Sequence, residues 1–152
     1  VANRKYKYDI AISFATEERD TAFVLALALK EVGFENVYYY PKKRSNGWGQ
    51  DIKKTLAKIY TEEAKYAIVL FSNNYFDKEK SYTRIELEAI EKRMNADSNL
   101  TYMLPIIITE DFSFQNYPIL QDLTFIEWNY NLKKIATELI EVFAIKAAKS
   151  SF

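Results

Sequence analysis

The run Tyr66 to Phe71 (YAIVLF) is apolar throughout. A strand on a one-sided sheet alternates apolar and polar side chains, so a strand without alternation has to be covered on both faces. That requirement points to a parallel sheet layered between helices. Tyr8 to Phe14 (YDIAISF), rich in β-branched and aromatic residues, and Tyr102 to Ile108 (YMLPIII) also read as strands, and Val37 to Tyr40 and Leu123 to Trp128 as shorter ones. Helical segments lie between them. Thr21 to Val32 has Asp20 or Thr21 as its expected N-cap and Gly33 as its stop. Gln50 to Glu63 carries Ile52, Leu56, Ile59 and Tyr60 on one face, and Ser81 to Met94 and Leu132 to Lys149 complete the set. Pro41 to Gly49 (PKKRSNGWG) holds the turn residues and reads as a loop. Pro105 removes one ladder donor, which places the fourth strand near the sheet edge.

The order β-α-β-α-β-α-β-(short α)-β-α predicts an α/β fold with a five-stranded parallel sheet and helices on both faces. A length of 152 residues with 49% hydrophobic composition suits one core and one domain over 1–152. No repeat, linker or low-complexity stretch divides it. The first residue is Val, so the domain is expected to be a piece of a longer protein. Ligands of such sheets bind beyond the carboxyl ends of the strands, at the switch in strand order. The segments to inspect are Phe14 to Asp20, Tyr40 to Gln50, Ser72 to Glu86 and Thr109 to Pro118.

Composition removes many chemistries from those segments. The chain has no His and no Cys, hence no imidazole base, no catalytic triad and no metal site of the usual zinc type. With glycine only at positions 33, 47 and 49, neither a dinucleotide fingerprint nor a P-loop is present. Twenty-one basic residues balance 21 acidic ones, which argues against nucleic acid as the main partner. No apolar run approaches the roughly 20 residues of a membrane span and no signal peptide opens the chain, so a soluble, cytoplasmic domain is expected. A flavodoxin would need a phosphate loop where this chain has Ala15-Thr16-Glu17-Glu18-Arg19-Asp20. A receiver domain would need a phosphorylatable Asp where it has Ser72-Asn73-Asn74.

The sharpest signal is a carboxylate on the wrong face of a helix. At about 100° per residue, Ile85, Ala89, Tyr82, Ile90, Met94 and Leu87 fill one arc of the segment from Ser81, while Arg84, Glu88, Glu91 and Lys92 fill the opposite one. Glu86 falls within the apolar arc, with Arg93 beside it two turns later. A charge there needs a partner or a cleft. Two readings stay open on periodicity: Glu86 pairs with Arg93 or caps a backbone donor, or it faces a pocket at the strand ends. Lys42-Lys43-Arg44 is either a solvated turn or an attractor of anionic substrate. Trp48 either tucks into the core edge or lines a pocket.

Tyr8-Asp9-Ile10-Ala11-Ile12-Ser13-Phe14-Ala15 resembles the opening box of Toll/interleukin-1 receptor (TIR) domains. Trp48-Gly49-Gln50-Asp51-Ile52 looks like the start of the second helix in their bacterial branch. Ser72-Asn73-Asn74-Tyr75-Phe76 followed by Tyr82-Thr83-Arg84-Ile85-Glu86 resembles the family's Ser-x-x-Tyr segment and Trp-x-x-x-Glu, and Met103-Leu104-Pro105-Ile106 fits its fourth strand. The resemblance runs from about Tyr8 to Ile145. It implies a flavodoxin-like TIR fold and, as in many bacterial members, cleavage of NAD+ as substrate with no further cofactor. By the same resemblance Glu86 is the catalytic glutamate, and Phe14, Ala15, Tyr40, Trp48 and Tyr82 form the substrate pocket. Tyr82 replaces the usual Trp, and Tyr40 stands where many members carry an Asp. Self-association with other TIR domains, and fusion to a sensor such as a STING module in antiviral defence, are also implied. Two alternatives remain: a non-catalytic adaptor, and an enzyme of the nucleotide 2-deoxyribosyltransferase kind, against which weighs the lack of a clear second acid near the strand ends.

Overall fold

The computed structural model describes residues 5–39, 51–97, 102–109, 111–128 and 132–150. Five parallel strands, β1 (Tyr8–Ser13), β2 (Val37–Tyr39), β3 (Ala64–Phe71), β4 (Met103–Ile107) and β5 (Ile126–Glu127), lie in the order β2-β1-β3-β4-β5. The helices are α1 (Arg19–Glu31), α2 (Ile52–Lys58), α3 (Ser81–Asp97) and α4 (Leu132–Ser150). The register sets Ser13 beside Val69 and Phe71 beside Ile107. The carboxyl ends of β1 and β3 therefore meet where the strand order reverses, the place such sheets reserve for a ligand.

The two faces of the sheet make two cores. Ile10 and Ile12 of β1 and Phe14 just after it, with Ile68 and Leu70 of β3, pack against Leu25 and Leu29 of α1 and Ile135 and Leu139 of α4. Ala11, Ala15, Ala67, Val69 and Phe71 face the other way, against Ile59, Tyr60, Leu87, Ile90 and Met94. Every described residue of β3 from Ala67 to Phe71 is buried, as a strand without alternation requires.

Several boundaries differ from the sequence reading. The Tyr8 strand stops at Ser13, and a 3-10 turn (Thr16–Glu18) leads into α1, which begins at Arg19 with no side-chain cap; the expected caps Asp20 and Thr21 are already helical. The expected Gln50 to Glu63 helix is α-helical only from Ile52, capped by the Asp51 carboxylate accepting from Lys54 N at 3.2 Å, and becomes a π turn over Ile59–Glu63. The fifth strand shrinks to two residues, Ile126–Glu127, and is preceded by a 3-10 turn (Pro118–Asp122). Pro105 lies on β4, one strand in from the edge strand β5, near the sheet edge as its missing donor suggests. Tyr102 O and Ile108 N bond to β3, while Ile107 O accepts from Trp128 N, so odd-numbered residues of β4 direct their backbone toward β5. Pairing with β5 begins only at Ile106, so the missing Pro105 donor has no strand opposite it.

Gly33 ends α1 in a Schellman turn: Gly33 N donates to Lys30 O at 3.1 Å and Phe34 N to Leu29 O at 3.0 Å. Its φ of +115° is one that side chains resist, although a Cβ would meet open space. Gly33→Ala is therefore expected to lower unfolding free energy by about 1 to 3 kcal/mol through backbone strain alone, measured by urea denaturation.

Candidate active site

Glu86 sits one and a half turns into α3 on the face turned toward the sheet, and is only 4% exposed. The small side of β1 makes room for it. Alternation puts Ser13 on the same strand face as Ala11 and Ala15, and Ser13 Oγ donates to Glu86 Oε1 at 2.8 Å. Ser13 Oγ also lies 2.7 Å from Tyr75 Oη. An ionised carboxylate only accepts, so the Ser13 proton goes to Glu86 and the phenol must donate to Ser13. The relay runs Tyr75 to Ser13 to Glu86, all three buried. Tyr75 comes from the 3-10 turn Asn74–Phe76, whose carbonyl at Tyr75 accepts from Thr83 Oγ1 at 3.0 Å, tying the turn to the first turn of α3. Burial first, and then the Glu86 charge, push the Tyr75 phenol well above its ordinary pKa, so it remains a neutral donor.

The described contacts of Arg93 lie at the amino end of β3. Its place seven residues after Glu86 on the helix means about 10 Å along the axis. The described hydrogen bonds of Arg93 run to the carbonyls of Ala64 and Tyr60, and its guanidinium lies 3.8 Å from the Tyr102 ring centroid and 5.2 Å from that of Tyr6. The described donor to Glu86 is a hydroxyl on the neighbouring strand, Ser13 Oγ.

Of the other residues named from the sequence, Ala15 is buried in the same layer as this relay. The Phe14 side chain points to the opposite core, among residues of α1 and α4, so only its backbone lies at the strand end. Tyr82 is half-buried in the first turn of α3, one turn before Glu86. Tyr40, Trp48 and the basic run Lys42-Lys43-Arg44 lie outside the described residues. A cavity of about 530 Å³ opens beside α3, lined by residues including Tyr75, Phe76, Thr83, Leu87 and Tyr117. Glu86 does not line it, although Tyr75 belongs to both.

Three residues escaped the sequence reading. Nothing in the strand's residue types singles out Ser13; the available signal is the alternation of large side chains (Ile10, Ile12, Phe14) with small ones (Ala11, Ser13, Ala15). Tyr75 falls within the Ser-x-x-Tyr segment, where sequence alone assigns it no role. Glu18 is a second acid near the strand ends, where none had been expected. It is 8% exposed, its Oε1 accepts from Asn74 Nδ2 at 3.2 Å, and its Oε2 has no partner. The objection to a deoxyribosyltransferase-like enzyme from a missing second acid therefore falls.

A parallel sheet in the order 2-1-3-4-5, with a hydrogen-bonded carboxylate buried at its switch point, defines a flavodoxin-like α/β domain built around a strand-end site. The TIR domain family model matches residues 10–140, and the chain belongs to that family. A 103-residue stretch, 68% of the chain, is 36% identical to the 3' cyclic ADP-D-ribose synthase AaTIR of Aquimarina amphilecti; the match spans 30% of that protein's length. Among solved structures, a TIR-STING receptor from C. gigas in complex with 2',3'-cGAMP matches with a TM-score of 0.67 at 16% identity, over 93% of this chain and 41% of the other. The TIR domains of the activated Roq1 resistosome match with a TM-score of 0.61 at 20% identity, over 88% and 98%. These structural likenesses establish the TIR fold. Among the described residues no helix is long and apolar enough to cross a membrane.

Two predictions follow from the buried acids. Ser13→Ala removes the donor to Glu86 and leaves Tyr75 facing a methyl group, so it should destabilise the domain by about 1 to 3 kcal/mol in a urea titration. For Glu18, burial is the largest influence and raises the carboxyl above 4.5 in the folded state. The native state then holds the proton more tightly than the unfolded chain. The contribution to stability is full below about pH 4.5 and is lost as pH climbs through the folded value. Glu18→Gln should gain in Tm relative to wild type at pH 7, and this gain should shrink when both are melted near pH 4.

Proposed function

We propose that this TIR domain breaks the nicotinamide–ribose bond of NAD+, with Glu86 as the catalytic carboxylate. The observation that carries the reading is the placement of Glu86 at the switch point, buried and oriented through Oε1 by Ser13. The similarity to a cyclic ADP-ribose synthase supports the same substrate class.

The chemistry suits a chain without His or Cys. In NAD+ the leaving group is already cationic, so the C1'–N bond breaks with its electron pair passing to neutral nicotinamide and no proton is required. The ribosyl fragment becomes an oxocarbenium ion. A carboxylate hydrogen-bonded to the ribose hydroxyls on its outer side stabilises that cation as it develops. Attack of water at C1', with loss of its proton, gives ADP-ribose; attack from within the molecule gives a cyclic product. Tyr82 supplies an aromatic wall beside the nicotinamide, and Ala15, Tyr40, Trp48 and the backbone at Phe14 border the remainder of the substrate.

The proposal extends to regulation. Glu86 is nearly sealed, which accords with a site that opens when copies of the domain assemble, and with a cytoplasmic effector of antiphage defence driven by a sensor module such as STING. The same low exposure favours, as a second reading, an adaptor that self-associates without catalysis.

The test is NAD+ cleavage by artificially clustered protein, following nicotinamide release. Wild type is expected to release it, and Glu86→Gln to lose about 100-fold or more of the rate. A silent clustered wild type would sink the enzyme reading, and an unimpaired Glu86→Gln variant would move the site elsewhere.

A further inference from the structure

The cavity of about 530 Å³ beside α3 has no part in the proposed chemistry, yet it lies within the size range of small-molecule sites. One wall is aromatic. Phe76 and Tyr117 line it, stacked on each other at 5.8 Å with their planes 28° apart. Both also stack on the buried Phe71, at 5.8 and 5.5 Å. A second wall is α3, which contributes Thr83 and Leu87 and, one turn apart, Glu88 and Glu91.

The charges around this cavity are not equally available. Lys80 Nζ is held by Glu17 Oε1 at 2.8 Å, Arg84 Nη2 donates to Lys78 O at 2.9 Å, and Asp77 Oδ1 accepts from Glu79 N at 3.0 Å. Glu88 and Glu91 are exposed and pair with no basic side chain among the described residues. Two uncommitted carboxylates thus stand against the ammonium of Lys78, and ring faces attract positive charge as well.

The same cavity touches the relay that ends at Glu86. Tyr75 and Thr83 are among its lining residues, and Thr83 Oγ1 donates to Tyr75 O at 3.0 Å. Tyr75 Oη lies 2.7 Å from Ser13 Oγ, which donates to Glu86 Oε1 at 2.8 Å. A ligand against Tyr75 is therefore two hydrogen bonds away from the acid, while Glu86 itself does not line the cavity.

We infer that this cavity is a second binding site, for a planar aromatic cation, and that its occupant steadies Glu86 through Tyr75 and Ser13. The effect on rate rests on the proposed NAD+ cleavage; the binding does not. A flat ring extends the Phe76–Tyr117 stack and packs on the turn Asn74–Phe76, while its positive group is held by Glu88 and Glu91 on α3. Turn and helix are then bridged by the ligand as well as by Thr83. The phenol that orients Ser13 loses freedom, and the carboxylate is held closer to one geometry.

The probe is benzamidine, a planar ring bearing a delocalised cation, with benzamide as its neutral counterpart. Isothermal titration calorimetry on the wild-type domain should show benzamidine binding roughly tenfold more tightly than benzamide. The double variant Glu88→Gln, Glu91→Gln removes both charges at exposed positions, where folding is little affected, and should erase that preference. Glu86→Gln should retain it. In clustered wild type, saturating benzamidine should raise kcat for NAD+ cleavage at least twofold with KM nearly unchanged; the double variant should keep the basal rate and lose the response. Equal affinity for the two probes, or a preference that survives the double substitution, would overturn the site. A preference lost in Glu86→Gln would put the probe in the catalytic pocket and overturn it too. An unchanged or lowered kcat with benzamidine bound would overturn the link to Glu86. If clustered wild type releases no nicotinamide, the NAD+ reading and the rate effect fall together, and calorimetry still decides the site.

Discussion

A carboxylate buried beneath a helix is tolerable only if donors reach it, and much of this domain's strand-end architecture follows from supplying them to Glu86. The sheet must come close and bring a hydroxyl, which requires a strand face of small residues; Ala11, Ser13 and Ala15 provide it. Ser13, having given its proton to Glu86, needs a donor of its own, and Tyr75 reaches in from the turn after β3. That turn must in turn be fixed to α3, which Thr83 accomplishes. Each member is fully buried and satisfied by the next, so the network is rigid rather than merely polar.

The four residues Ser72 to Tyr75 extend this frame to the neighbouring loops. Ser72 Oγ accepts from Tyr75 N at 3.2 Å. Asn73 donates to Asp111 O at 3.1 Å and accepts from Ser113 N and Asn116 Nδ2, anchoring the chain that follows β4. Asn74 reaches across to Glu18 in the turn after β1. One short segment thereby holds three strand-end loops in register around the switch point, with Lys80 and Glu17 adding a 2.8 Å surface pair whose weight in water is small. A site framed in this way can keep an acid in place, which the proposed chemistry asks for.

The layering and the anomalous acid were legible because both depend on periodicity. Continuous apolar strands and a 3.6-residue helix repeat located the sheet, α3 and the inward turn of Glu86. The partners of Glu86 were not legible. Ser13 is 73 residues away in the chain and Tyr75 is 11, and no pattern in one element records which hydroxyl of another will face it. Proximity in helix register suggested Arg93, whose described hydrogen bonds run to the carbonyls of Ala64 and Tyr60. Short-range geometry was equally hidden at Pro105, where register with β5 decides whether a missing donor matters.

What the sequence determined by itself is the class of fold and one chemical peculiarity: a parallel sheet covered on both faces, and a lone acid turned inward, in a chain without His or Cys. Both follow from local rules, the pleat, the helix pitch and the reluctance of charge to leave water. Tertiary structure alone decided what that acid touches, that a second acid at Glu18 lies near the strand ends, and that a cavity beside α3 shares Tyr75 with the relay. Those outcomes come from strand order and register, which bring together residues that no local periodicity connects.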